Sequence, residues 1–211
     1  MNSLRRVARW SGGAVSLLGL LGGVGWLFGV RVLGAILPQY KPMAPSTALA
    51  FWFLGFIVLL EARKAWRGWG KFLAAALAAL AAIYGLLNFV FYYCGIAETF
   101  EIFLLSATQR VGSIPVNRIS PVTGLTFFLA GTCTLLKLRS RPQGVTRHLP
   151  GVLGSLVSAV GFVCILGYLF GTPMLYGGNI IPVAATTALA FLLLGMGLLA
   201  AAGPKSFPCG C

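Results

Sequence analysis

Apolar residues run along this chain in six long stretches, at about 11–30, 43–60, 72–94, 119–136, 149–170 and 179–202, and the charged residues gather between them. A helix needs ~20 mostly apolar residues to cross the hydrocarbon core of a bilayer. The pattern therefore predicts six transmembrane helices. They take up most of the chain, which predicts a single membrane domain over 1–211, all-α and integral to the bilayer.

The six stretches are related. Thr47-x-Leu49-x-Phe51-x-x-x-Gly55, Thr123-x-Leu125-x-Phe127-x-x-x-Gly131 and Thr187-x-Leu189-x-Phe191-x-x-x-Gly195 repeat one phrase at the start of every even-numbered stretch, with Pro45, Pro121 and Pro182 just upstream. The odd-numbered stretches share an ending, Trp26-x-x-Gly29, Tyr92-x-x-Gly95 and Tyr168-x-x-Gly171. Trp and Tyr favour the headgroup level, and glycine lets the chain turn there. The unit is a hairpin used three times, over approximately 11–60, 72–136 and 149–202. Its Thr, Phe and Gly at i, i+4 and i+8 drift slowly around one helical face. Glycine admits a neighbouring backbone, and threonine bonds across or back to a carbonyl. Two readings of that face stand side by side: a packing seam between repeats, or the lining of a ligand pocket near the outer leaflet on a pseudo-threefold axis. Proline in a first helical turn sacrifices no needed hydrogen bond, and Ser120 is placed to cap the helix that follows.

Charge gives the repeats a direction. Of 16 Lys and Arg against 3 acids, Arg5, Arg6 and Arg9 precede helix 1. Arg63, Lys64, Arg67 and Lys71 lie between helices 2 and 3, Lys137, Arg139, Arg141 and Arg147 between helices 4 and 5, and Lys205 beyond helix 6. Only Arg31, Lys41, Arg110 and Arg118 fall on the other side. Cytoplasmic loops retain Lys and Arg, so both termini are expected in the cytoplasm, with the anionic headgroups of the inner leaflet as counter-charge. Nucleic acid is not expected as a partner, because its footprint is one contiguous basic face. The apolar run of helix 1 exceeds the 7–15 residues of a signal-peptide core, so it is read as an anchor. The longest outer loop, about Gly95 to Ser120, carries Glu98, Glu101 and an apolar Phe100–Leu105 suited to a short interfacial helix. Tyr176-Gly-Gly-Asn179 reads as a tight turn.

Candidate chemistry is sparse. His148 is the sole histidine, which excludes bis-histidine haem ligation and two-histidine zinc within the chain. Cys94, Cys133 and Cys164 fall on three different helices and read as small apolar residues. Cys209-Gly-Cys211 has too few ligands for a metal site, although palmitoylation stays open. Glu61, at the inner end of helix 2, is expected to pair with Arg63 or Lys64, or to be solvated. Asn88 is the one strongly polar side chain well inside a span. It reads as a structural hydrogen bonder or, with the repeated faces, as part of a site. With acids confined to Glu61, Glu98 and Glu101, no Ser/His/Asp set can be assembled. No catalysis, metal or cofactor is expected, and proton-coupled transport and voltage sensing lack the buried charges they need. Gly22-Gly-Val-Gly25 lacks the Lys-Ser/Thr ending of a P-loop.

The segments Met43-Ala-Pro-Ser-Thr-Ala-Leu-Ala-Phe51, Ile119-Ser-Pro-Val-Thr-Gly-Leu-Thr-Phe127 and Gly167 through Pro182, with its Gly-Thr-Pro-Met-Leu-Tyr-Gly-Gly core, resemble the multi-spanning N-terminal membrane module of bacterial sensor proteins. The resemblance runs from about Val30 to Pro208. It implies an inner-membrane input module that feeds PAS domains and a histidine kinase or diguanylate cyclase. Family members continue past the Gly203–Pro208 stretch into those output domains. This chain ends at Cys211, so the expectation is a truncated product, a fragment, or a module that works through a partner, with 203–211 a cytoplasmic tail. The rival expectation is a small channel or transporter built from parallel hairpin repeats. Stimulus and oligomeric state, self-association included, stay open.

Overall fold

The computed structural model describes residues 2–30, 42–63, 68–96, 110–111, 114–115, 119–139, 147–170 and 183–203. Six helices make up nearly all of it: α1 Asn2–Leu27, α2 Pro45–Ala62, α3 Trp69–Tyr93, α4 Pro121–Leu138, α5 Leu149–Leu169 and α6 Ala185–Ala202. All six are long and apolar enough to cross a membrane. At ~1.5 Å per residue, even the 18-residue helices approach the ~30 Å hydrocarbon core. A two-residue antiparallel pair between α3 and α4, Arg110–Val111 with Ile114–Pro115, was not anticipated.

The helix ends follow local chemistry. Pro45 and Pro121 open α2 and α4, where a missing N–H has no intrahelical partner to lose. The third copy differs: α6 opens on Ala185, and Pro182 lies outside the described residues. Ser120 holds the N-cap position of α4, but its hydroxyl makes no cap bond and is buried without a hydrogen-bond partner among the described residues. At the other end of α3, Gly95 adopts φ +70°, the Gly95 amide donates to Tyr92 O and the Ile96 amide to Phe91 O. That double closure is a Schellman motif, which needs a left-handed residue after the helix. Gly29 ends α1 with φ +69° and an equivalent bond to Trp26 O. The aromatic-x-x-Gly spacing is thus the distance from a helix's last turn to its stop.

Three boundaries next to the charged clusters are corrected. Helix α3 begins at Trp69, so Lys71, expected between helices 2 and 3, lies in its first turn. Helix α1 begins at Asn2, so Arg5, Arg6 and Arg9 ride on its first turns rather than preceding it. Backbone hydrogen bonding continues past the apolar stretch, and a long arginine stem is compatible with such a helical position because it can carry its charge away from apolar surroundings. Lys137, expected in the inner loop, falls in the last turn of α4.

The closest packing joins α1 to α2, α3 to α4 and α5 to α6. Helix α1 also lies against α6, α5 against α4 and, more lightly, α3 against α2. In α2, α4 and α6, 50–56% of the most apolar stretch is buried, against 28–33% in α1, α3 and α5. The even helices therefore form the inside of the bundle and the odd helices its wall. The wall exposes large apolar side chains, among them Leu27 at 84% and Trp69 at 86%. Such a surface has no counterpart in a water-soluble monomer and suits contact with lipid. The Phe100–Leu105 and Tyr176–Asn179 segments, Gly171, Cys209 and Cys211 lie outside the described residues.

Candidate functional site

Phe51, Phe127 and Phe191, one from each copy of the phrase, meet at the centre of the bundle. Their ring centroids stand 4.8 Å (Phe51–Phe127), 4.7 Å (Phe51–Phe191) and 4.9 Å (Phe127–Phe191) apart, with interplanar angles of 53–65°. Tilted and edge-on contacts at this range match the aromatic quadrupole, positive edge against negative face. Each ring is 0–1% exposed, so the three close the axis at their level. Thr47, Thr123 and Thr187, a turn nearer the helix starts, are buried as well.

The glycines of the phrase point elsewhere. A Cβ at Gly55 would stand 2.6 Å from the Ser16 amide nitrogen of α1, and one at Gly131 would stand 2.7 Å from the Ala78 oxygen and Ala82 nitrogen of α3. At Gly195 it would run into Ser158 of α5. Each odd helix answers with a glycine of its own. Gly19 abuts Trp52 and Ala48, Gly85 abuts Phe128 and Gly124, and Gly161 abuts Leu192 and Ala188. Backbones meet directly in every pair, which only residues without a side chain allow. Thus i, i+4 and i+8 drift far enough for phenylalanine to face the axis while glycine faces the partner helix. Gly19, Gly85 and Gly161 were missed in the sequence, although each stands seven residues before the aromatic of its helix's stop.

Hydrogen bonds tie the same pairs. Ser16 Oγ donates to Trp52 O at 3.2 Å and Ser158 Oγ to Leu192 O at 3.4 Å. Toward the loop ends, Trp26 Nε1 donates to Met43 O at 2.6 Å and Tyr168 Oη to Val183 O at 2.5 Å. Each acceptor immediately precedes the N-cap of the next helix, Ala44 or Ala184. The stop aromatics therefore hold the entry to α2 and to α6. Between α2 and α3, the Ser46 and Tyr84 hydroxyls share a hydrogen bond of 2.5 Å. Asn88 Nδ2 donates back to Tyr84 O of its own helix at 2.8 Å, and its Cβ lies in the α3–α4 contact opposite Gly124. Tyr84 itself packs on Phe127, with ring centroids 6.1 Å apart.

At the opposite end, Lys137 Nζ of α4 lies 3.1 Å from Glu61 Oε1 of α2. The expected partners of Glu61 were Arg63 and Lys64, and Lys64 is outside the described residues. Lys137 is drawn in instead because its side chain is 5% exposed, against 23% for Glu61, and a buried ammonium demands a counter-charge. Glu61 Oε2 is buried with no hydrogen-bond partner among the described residues. One turn back from Lys137, Cys133 Sγ donates to Pro150 O of α5 at 3.3 Å. The sequence held a signal for the pair: Glu61 and Lys137 both stand six residues after the phrase glycine, Gly55 or Gly131, and Ala201 takes that place after Gly195.

His148 is the N-cap residue of α5 and makes no side-chain cap bond. Cys133 is buried, Cys164 half-buried and Cys94 exposed, and none of the three is in a disulfide. No group of three or more His, Cys, Asp or Glu side chains that could hold a metal ion forms among the described residues. What these residues offer is apolar contact on the axis, backbone-close pairing in the wall and one neutralised charge pair at the end. No protein-family model, curated protein or solved structure matches this chain.

Proposed function

We propose that the chain is the membrane-embedded input or anchoring module of a bacterial signalling protein, without catalysis of its own, relaying a periplasmic or membrane-soluble signal through α6. In this reading three pseudo-repeated hairpins lie in the inner membrane with both termini cytoplasmic, as the Lys and Arg distribution favours. An output domain or partner protein follows α6. The carrying observation is that Phe191 of α6 packs on both Phe51 and Phe127. A shift of either of the other inner helices therefore presses on α6. The far end of α6 supports the same reading: Ala200 and Ala201 pack with Leu4 and Ala8 of α1 and Ala62 of α2. A stimulus acts only through its differential affinity for two arrangements of these helices. The closed aromatic axis weighs against a channel or transporter.

The test fuses a cyclase reporter after Cys211 and follows its product in bacterial cells. Phe127→Leu is expected to change output by about fivefold or more, the lower range of allosteric coupling, at unchanged membrane abundance. Leu125→Ala, on the exposed side of the same helix, is expected to leave output unchanged. Equal output from all three chains would reject the relay, and solute flux in proteoliposomes would favour the transporter.

A further inference from the structure

The helix pairs α1–α2, α3–α4 and α5–α6 meet along three seams, and the seams are unequal. Among the described residues, α1 lies closely on α6, α5 less closely on α4, and α3 only lightly on α2. The inner helices follow suit, since α6 meets both α2 and α4 more extensively than those two meet each other. The junction of the first pair with the second is therefore the thinnest, in the wall and inside it.

Residue size at one repeated position follows the same order. Gly197, Cys133 and Ile57 each stand two residues after the phrase glycine of their helix. A Cβ at Gly197 would stand 3.2 Å from Ser11 Cβ of α1, and Cys133 Sγ donates to Pro150 O of α5. Ile57, buried, takes this place in α2. Side chains at a contact set how near two helices lie, and contact across the three seams weakens from glycine to cysteine to isoleucine. Two polar contacts close the thin junction, at opposite ends of α2. Ser46, in its first turn, shares a hydrogen bond of 2.5 Å with Tyr84 of α3. Glu61, in its last turn, pairs with Lys137 of α4 at 3.1 Å. A buried ion pair yields little net stability over apolar packing, and sparse packing marks the parts of a fold that open first.

We infer that the bundle parts along this junction. The second pair, α3 with α4, swings as one body about the α4–α5 contact, and Ser46–Tyr84 and Glu61–Lys137 are the latches. Parting separates Phe127 from Phe51 and leaves Phe51 packed on Phe191. The movement belongs to the bundle and does not rest on a signalling role.

The test places spin labels pairwise at Leu20, Leu86 and Phe162 of the full chain in lipid nanodiscs, after its five native cysteines are replaced. Each position is exposed and stands six residues before the stop aromatic of its helix. Distance distributions are read by double electron–electron resonance. Leu20–Leu86, across the thin junction, should give the broadest distribution and Leu20–Phe162 the narrowest. Glu61→Gln with Tyr84→Phe should raise the long-distance fraction of Leu20–Leu86 severalfold and leave Leu20–Phe162 unchanged. Ser46→Ala, which removes one latch, should act on the same pair to a smaller extent, and it serves where the double variant fails to fold. Gly197→Ile should instead broaden Leu20–Phe162. Equal distributions for the three pairs in the parent chain would overturn the inference. So would a latch variant that broadens Leu20–Phe162 as much as Leu20–Leu86, or one that changes neither.

Discussion

Glu61 on α2 and Lys137 on α4 form an ion pair of 3.1 Å in which the lysine side chain is 5% exposed and the glutamate 23%. The asymmetry sets the expected mutational pattern. Removing one member of a buried pair costs about 3–5 kcal/mol because the other charge is left uncompensated. Glu61→Gln strands the more buried charge, so it should destabilise more than Lys137→Met. Glu61→Leu combined with Lys137→Met should recover most of the loss. Thermal unfolding in detergent measures all three. A Lys137→Met variant less stable than Glu61→Gln would contradict the assignment.

Glycines in the helix contacts should separate sharply from glycines outside them. Gly131→Ala puts a Cβ 2.7 Å from the backbone of α3, an overpacking that costs about 1–3 kcal/mol. Gly13 and Gly23 of α1 have nothing within 4 Å of an added Cβ. Alanine there should be neutral or should gain up to about 1 kcal/mol from helix propensity. The same unfolding assay compares them, and a Gly131→Ala variant as stable as Gly13→Ala would refute the close approach.

The stop aromatics should matter through their donors as well as their rings. Trp26→Phe and Tyr168→Phe keep an aromatic side chain and delete the bonds to Met43 O and Val183 O. Each should cost about 1 kcal/mol, the net worth of a typical hydrogen bond. The two sites lie on different helix pairs, so the double variant should show the sum. Amide exchange at the first turns of α2 and α6 should accelerate in the matching single variant and not in the other.

Much of this architecture was legible because one phrase recurs. The same residue types at the same places on three helices marked a shared face, and left a packing seam and a pocket lining on a common axis as alternatives; that phenylalanine meets phenylalanine there is seen only in the fold. Other features were obscured by their surroundings. With 28 glycines in the chain, Gly19, Gly85 and Gly161 stand out only when counted back from the stop aromatic. Glu61 has cations closer along the chain than Lys137, and sequence distance hides a partner that shares its level on a neighbouring helix. Ser120 shows the reverse case. Its position and residue type both signal a cap, yet its hydroxyl is buried and makes no cap bond.

The convergence of the three inner helices is tested most directly by crosslinking in the membrane. In a chain whose five native cysteines are replaced by serine or alanine, cysteine is introduced pairwise at Phe51 and Phe127, Phe127 and Phe191, and Phe51 and Phe191. The ring separations of 4.7–4.9 Å predict that all three pairs are joined within one chain by a short thiol crosslinker. A control pair at the exposed Leu49 and Leu125 should stay unjoined. Failure of any one of the three pairs to crosslink, in protein that still inserts and folds, would contradict a common axis.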